Sequence, residues 1–328
     1  MTYDAKSDSG GTVSEFTNAK YVVITTNGIS TPINYQVKLT VPYEDEMQTS
    51  FQDIRFNTAS GDYIDYWIES HTDSTTAIVW LELPDPITDP GTGTIYMYYG
   101  NAELSDGSNI GDTFIFGDDF SGDLSKWTVR AGMSIINNEL NMPANVNSDR
   151  TPTYGNTNLG TSYIWEFKAK VVPGTRLQPI PIYLGDYTEA SNKTMARILT
   201  DVWGGINNIY EVGVWGDVGT FIGTVVTIDN TYHKWKLIRK PTSFMLYIDG
   251  NLIGNEHSVE AEYNTTSKIA ISGYNTAAVW DDIFVRKYIA NEPTYEWVVE
   301  SGNLIICGRM KQHRGASISG GISAGKRR

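Results

Sequence analysis

The chain has a single cysteine, Cys307, so no disulfide framework can form within it. That thiol has no acid–base partner close in sequence beyond His313, and it reads as inert rather than reactive. No stretch repeats apolar residues at i, i+3, i+4 and i+7 over three turns, which argues against long amphipathic helices. No apolar run approaches the ~20 residues that a membrane helix needs. Leu304, Ile305 and Ile306 form the nearest candidate, far too short. Residues 1–10 are polar and lack the apolar centre of a secretory leader. The expectation is a protein with no membrane span and no export signal, which reaches any exposed position by another path, such as inside a virion.

Acidic residues also run out. Beyond Glu300 there is none, whereas Arg309, Lys311, Arg314, Lys326, Arg327 and Arg328 add six positive charges. The whole chain carries −13, so removing those six leaves 19 basic against 38 acidic residues, or −19 over residues 1–300. Such a body disfavours nucleic acid, and only the basic tail offers it a surface. Gly315–Gly325 is low-complexity sequence of small residues. The tail reads either as a disordered end or as an arm that docks on the acidic surface of a neighbouring subunit or on encapsidated nucleic acid.

What the chain does have is strand-forming residues. With 328 residues there is room for about two domains of roughly 100–200 each. Tyr, Trp, Thr, Ile and Val are plentiful, with Gly and Asn between runs. Residues 1–19 read as a polar arm. Strands are predicted at Tyr21–Thr25, Tyr35–Val41, Ile54–Phe56, Trp67–Ser70, Thr76–Glu82 and Thr94–Tyr99, separated by turns such as Ser60-Gly61-Asp62. Ser105 to Asn109 reads as a linker. A second unit opens at Phe114–Phe120 and ends on a strand at Ala278–Arg286. Within it, alternating runs from Tyr232 and from Phe244 lead to Asp249-Gly250, a type I′ hairpin signal because both turn positions need positive φ. The fold class is thus all-β: two tandem β-sandwiches, residues 20–110 and 111–290, then a strand and basic tail over 291–328.

Asp53-Ile54-Arg55-Phe56, Tyr66–Ser70, Ala77–Leu81 and Ile95–Asn101 agree in order and spacing with a known family. Residues 21–110 resemble the domain of unknown function 2341 of archaeal, bacterial and viral surface proteins. Residues 114–288 are similar to concanavalin A-like lectin/glucanase (LamG-like) jelly rolls, through Asp118–Ser121, Trp127, Tyr247–Gly250 and Trp280-Asp281-Asp282. The resemblance implies attachment or recognition, and the first domain brings no settled activity.

Glucanases on this jelly roll use carboxylates spaced Glu-x-Asp-x-x-Glu, because alternate strand positions share a face. No such triplet occurs. Glu44-Asp45-Glu46 reads as a solvated loop, and His71, His233, His257 and His313 sit near no nucleophile motif. Catalysis is not expected. Asp118-Asp119 and Asp281-Asp282 lie on the opening and closing strands, which are often neighbours. Carboxylates from both could converge on structural Ca²⁺, a hard cation. The alternative is an Asp that accepts backbone N–H bonds. Strand alternation allows at most one of each pair to face an ion. Asp201, Trp203, Asn207, Asn208, Tyr210, Trp215 and Asp217 offer aromatic platforms and polar partners for a glycan, against which core packing is the plainer reading. The sequons at Asn192 and Asn264 read as chance matches.

These features point to a non-catalytic virion structural or adhesion protein: a tail, fibre or capsid-surface component that assembles with itself or other subunits and recognises a cell-surface glycan. A prokaryotic cell-surface carbohydrate-binding adhesin is the alternative, and a glycoside hydrolase a third.

Overall fold

The computed structural model describes residues 16–129, 132–142, 153–155, 157–171, 182–185, 196–200, 207–211, 221–225, 231–258, 268–271 and 277–298. Apart from one helical turn, every regular element among them is a strand. The chain divides into two units, Met1–Ser108 with Asn291–Arg328, and Asn109–Ala290.

The first unit contains β1 (Asn18–Thr25), β2 (Tyr35–Pro42), β3 (Arg55–Thr58), β4 (Tyr63–Ile64), β5 (Tyr66–Thr72), β6 (Thr76–Leu83) and β7 (Thr92–Tyr99). Each expected strand is present. Their alternation fixes which face is inside: on β2, Val37, Leu39 and Val41 are buried while Lys38, Thr40 and Pro42 are exposed. One antiparallel sheet runs β2-β6-β5 and the other β1-β7-β3-β4. Val22, Ile24, Phe56, Ile64 and Met97 from one sheet, and Val37, Leu39, Val79 and Leu81 from the other, are buried. Each such side chain contributes roughly 1.5–3 kcal/mol by leaving water. The presumed arm is shorter than expected, because β1 already starts at Asn18 and Phe16 is buried against Tyr98, ring centroids 5.8 Å apart.

The residues that carry the resemblance in this unit are structural. Asp53 is fully buried, and its carboxylate accepts N–H bonds from Gln48 (2.9 Å), Gly100 (2.7 Å) and Asn101 (3.0 Å). Gly100 has φ +86°, and a Cβ there would meet Thr17 Oγ1 at 2.1 Å, so only glycine fits. Arg55 donates to the Tyr66 hydroxyl (2.9 Å) and to the carbonyl of Ser105 (2.8 Å). The Ser108 hydroxyl accepts from the Ile68 N–H at 2.8 Å. Ser105 and Ser108, within the segment read as a linker, are thus each held by a hydrogen bond to the first unit.

The second unit begins with α1 (Ile110–Thr113), capped by Asn109, whose side-chain oxygen accepts from Gly111 and Asp112. There follow β8 (Phe116–Asp118), β9 (Trp127–Thr128), β10 (Ser134–Ile136), β11 (Glu139–Met142), β12 (Thr153–Gly155), β13 (Tyr163–Val171), β14 (Ile182–Gly185) and β15 (Ala196–Thr200). After these come β16 (Asn207–Glu211), β17 (Phe221–Val225), β18 (His233–Lys240), β19 (Ser243–Ile248), β20 (Asn251–Ser258), β21 (Lys268–Ile271) and β22 (Ala278–Lys287). The main sheet runs β10-β11-β22-β13-β18-β19-β20, with β8 also on β22; a second runs β14-β21-β12-β9 and a third β15-β16-β17. Trp165, Phe167, Trp235, Leu237, Leu246, Trp280 and Ile283 of the main sheet share one core with Trp127, Ile269 and Ile271 of the second, which makes a sandwich. Phe167 and Trp235 stack within it, centroids 6.0 Å apart. Asp249 and Gly250 take φ +49° and +80°, the mirror-image turn expected between β19 and β20.

The chain then returns to the first unit. β23 (Thr294–Val298) pairs antiparallel with β1, from Tyr21 opposite Val298 to Thr25 opposite Thr294. The strand expected within residues 291–328 thus pairs with its own chain.

Candidate functional site

The outward face of the main sheet in the second unit carries a cluster of ionisable residues. On β22, Trp280 and Ile283 both point into the core. The pairing with β13 slips between Glu166 opposite Phe284 and Lys168 opposite Asp281, so β22 holds one residue more than its partner. Such a bulge breaks the two-residue alternation. Asp282 absorbs it with φ +47°, a left-handed conformation that Asp tolerates. Asp281 and Asp282, lying between two inward residues, therefore share the outward face, where strict alternation would have separated them.

Lys168 Nζ forms an ion pair with Asp282 Oδ2, and the two side chains are 27% and 13% exposed. Asp281 accepts the N–H of Asp282 at 2.9 Å. Glu139 stands one residue before Leu140, the partner of Trp280 on β11, and so lies beside Asp281. Lys170 pairs with Glu139 at 3.6 Å and sits 4.1 Å from the centre of the Tyr232 ring. Burial and then the adjacent Asp282 charge push the Asp281 carboxyl up to about 6, against the pull of the Asp282 N–H and Lys168. Burial also raises the Tyr232 phenol. Further along the same sheet, Lys236, Tyr247 and Leu252 form one row across β18, β19 and β20. The Lys236 ammonium lies 4.4 Å from the Tyr247 ring centre, and Leu252 is 45% exposed.

The four aspartates do not come together. β8 does pair with β22, with Asp118 opposite Ile283. But Asp118 turns inward: its carboxylate accepts the Trp127 indole N–H at 2.7 Å and the Phe120 N–H at 2.9 Å, and burial raises its pKa. Asp119 accepts from the Ser121 N–H (3.1 Å) and hydroxyl (2.7 Å) in a local turn. Asp281 and Asp282 lie on the opposite face of the sheet. Among the described residues no three His, Cys, Asp or Glu side chains gather to hold a metal ion.

Of the glycan candidates, Asn207, Asn208 and Tyr210 lie on β16, the middle strand of the three-stranded sheet. Asp201, Trp203, Trp215 and Asp217 lie outside the described residues, as do Cys307, the sequons and tail residues Arg309, Lys311, Arg314, Lys326, Arg327 and Arg328. Trp127 and Trp280 are core residues. Sequence reasoning missed Glu139, Lys168, Lys170 and Tyr232, because only strand register brings them beside Asp281-Asp282; the dyad itself was the one visible signal.

The family described as domain of unknown function DUF2341 matches residues 50–130. The match begins later than the resemblance read at 21–110 and runs on through β8 and β9. No curated protein matches the chain. Among solved structures, the carbohydrate-binding module CBM66 from Bacillus subtilis is similar at 12% identity, covering 51% of this chain and 99% of that one, with a TM-score of 0.39. A protein of unknown function with a galectin-like fold from Bacillus subtilis is similar at 11% identity, covering 53% and 96%, with a TM-score of 0.39. A Crh5 transglycosylase in complex with NAG is similar at 12% identity, covering 54% and 86%, with a TM-score of 0.42.

Proposed function

We propose that this protein is a non-catalytic surface-recognition protein that binds glycan through its second unit. The observation that carries this reading is the row Lys236–Tyr247–Leu252 on the open sheet face. A partly buried aromatic ring with one face open can stack on the C–H face of a sugar, and the lysine beside it can donate to hydroxyl or carboxylate oxygens. Asn207, Asn208 and Tyr210 on β16, with Asp201, Trp203, Trp215 and Asp217, are proposed as further glycan-binding residues. The biological setting we propose is a virion tail, fibre or capsid-surface component, with a prokaryotic surface adhesin as the alternative. In the virion setting the basic tail docks on the acidic body of a neighbouring subunit.

A glycan array probed with the full chain tests the recognition reading. Binding is expected, and Tyr247→Ala should weaken it at least tenfold while leaving the melting curve in place. Undiminished binding by that variant moves the site elsewhere, and no binding to any glycan overturns the reading. A mass-resolved sizing run separates the two settings, since an assembly subunit oligomerises and a simple lectin need not.

One observation favours a second reading, a glycoside-cleaving or glycoside-transferring enzyme. Asp281, Asp282 and Glu139 share one sheet face, and Asp281 holds its proton up to about 6, the pattern of a general acid beside a second carboxylate. Release of reducing sugar that disappears in Asp281→Asn would establish it.

A further inference from the structure

We propose that the folded protein carries an internal amide cross-link between the Lys168 side chain and the Asp282 side chain, tying β13 to β22.

Three features place the reacting groups. Nζ of Lys168 and Oδ2 of Asp282 are already in direct contact across adjacent strands of the main sheet, 114 residues apart in sequence. The bulge that turns Asp282 onto the outward face fixes this contact, because a regular strand would aim that carboxylate into the core. Both groups are largely withdrawn from water, at 27% and 13% exposure. Transfer of one proton within this contact, from the Lys168 ammonium to the Asp282 carboxylate, gives the neutral amine and neutral acid from which an amide forms. A third group completes the set. Asp281, the preceding residue, keeps its carboxyl beside the pair, and burial with the Asp282 charge lets it hold a proton close to neutrality. Held contact between reactive groups replaces the entropy cost of bringing them together.

The chemistry balances without a co-reactant. The Lys168 amine nitrogen attacks the Asp282 carboxyl carbon and a C–N bond forms. Asp281 delivers its proton to the departing oxygen and takes one back from the nitrogen. The C–O bond breaks and one water leaves. Nothing is oxidised or reduced. The product is neutral, which removes an ion pair from a half-buried site, and it fastens two central strands covalently, a property suited to a protein that bears load at a surface.

The test is the mass of the intact, folded, full-length chain. It should be lighter than the sequence by one water, and trypsin should release a branched peptide joining the segments around Lys168 and Asp282. Lys168→Arg and Asp282→Ala should each restore the full mass, and Asp281→Ala, which keeps both partners, should convert slowly or not at all. A folded wild-type chain that keeps its full sequence mass after days at neutral pH overturns the proposal and leaves an ordinary ion pair. So does a water loss that maps to Asp106-Gly107 or Asp249-Gly250, where an aspartate closes on the next backbone nitrogen. Because the wild-type mass decides the matter, a variant that fails to fold does not weaken the test.

Discussion

Trp297 donates its indole N–H to the carbonyl of Thr40 at 2.8 Å, across 257 residues of sequence. The Tyr295 hydroxyl accepts from the N–H of the same Thr40 at 2.9 Å. Thr40 lies on β2, the edge of the three-stranded sheet, and the aromatic pair comes from β23, the edge of the other. An edge strand offers outward peptide groups that invite pairing with another chain, and these two side chains occupy one of them. Lys20 completes the clasp: its ammonium lies 4.7 Å from the Trp297 ring centre and 2.6 Å from Glu44, so the presumed solvated loop is partly engaged.

Replacing Trp297 with Ala should therefore lower the melting temperature of the first unit and leave the second unchanged. Loss of the hydrogen bond and of ring packing should cost about 1–2 kcal/mol, a shift of several degrees in a domain of this size. Calorimetry resolving two transitions checks it. Equal shifts in both, or none, would show that the clasp does not fasten the first sandwich.

Two truncations separate the strand from the tail. A chain ending at Ala290 lacks β23 and exposes the edge of β1, so its first unit should melt early or aggregate. A chain ending at Gly302 keeps β23 and should retain both transitions. If the basic tail docks on acidic neighbours, that second chain should form smaller assemblies, and the full chain's assemblies should weaken with salt, since screening shortens charge reach to about 8 Å at physiological ionic strength. Assembly identical with and without residues 303–328 at every salt concentration would dismiss the docking role.

Asp53→Ala removes the acceptor of three backbone N–H groups at once. Buried donors left without a partner cost about 1–3 kcal/mol each, so a loss of at least ~3 kcal/mol is expected in the first unit. Denaturant unfolding followed by the fluorescence of Trp67 and Trp80 measures it, and a loss under about 1 kcal/mol would mean that water replaces the carboxylate.

Asp281 gives the second unit a pH signature. Its folded carboxyl titrates at about 6 against an ordinary 3.8. A raised carboxyl pKa means that the folded state binds the proton more tightly, so stability is greatest below about 4 and falls as pH rises through 6. Asp281→Asn should remove that slope and stabilise the unit at pH 7–8 by about 1 kcal/mol, once solvent screening is allowed for. Melting curves of both proteins at pH 4 and pH 8 check the sign: the gap should be wide at pH 8 and narrow at pH 4.

Calcium should leave the second unit's melting unchanged, because Asp118 and Asp119 are engaged by local donors and Asp282 by Lys168. A ligand at a hundredfold its dissociation constant would add roughly 2.7 kcal/mol. A rise of that size over the EDTA curve would mean that a cation displaces these partners.

Much of the fold was legible because period-2 burial is written directly in residues such as Val37, Leu39 and Val41, and because Asp249-Gly250 names its own turn. The pairing of β8 with β22 followed from the architecture. The site was less legible for a physical reason. Alternation is the rule by which sequence assigns a face, and a bulge suspends it, so Asp281 and Asp282 were separated on paper and are neighbours in space. Glu139, Lys168 and Tyr232 meet them through register alone, which no local spacing records. The Trp297–Thr40 bond is invisible for the same reason at greater range.

The excursion of residues 109–290 between β7 and β23 also sets an order of events during synthesis. The first sandwich lacks an edge strand until Thr294–Val298 has left the ribosome, by which time every strand of the second unit has already emerged. The unit encoded second is thus free to fold first, and the N-terminal strands must wait with the β1 edge unpaired and Thr40 uncovered. Aggregation during expression should accordingly be governed by how long that wait lasts, so slowing translation within residues 109–290 should reduce the soluble yield more than slowing it before residue 16.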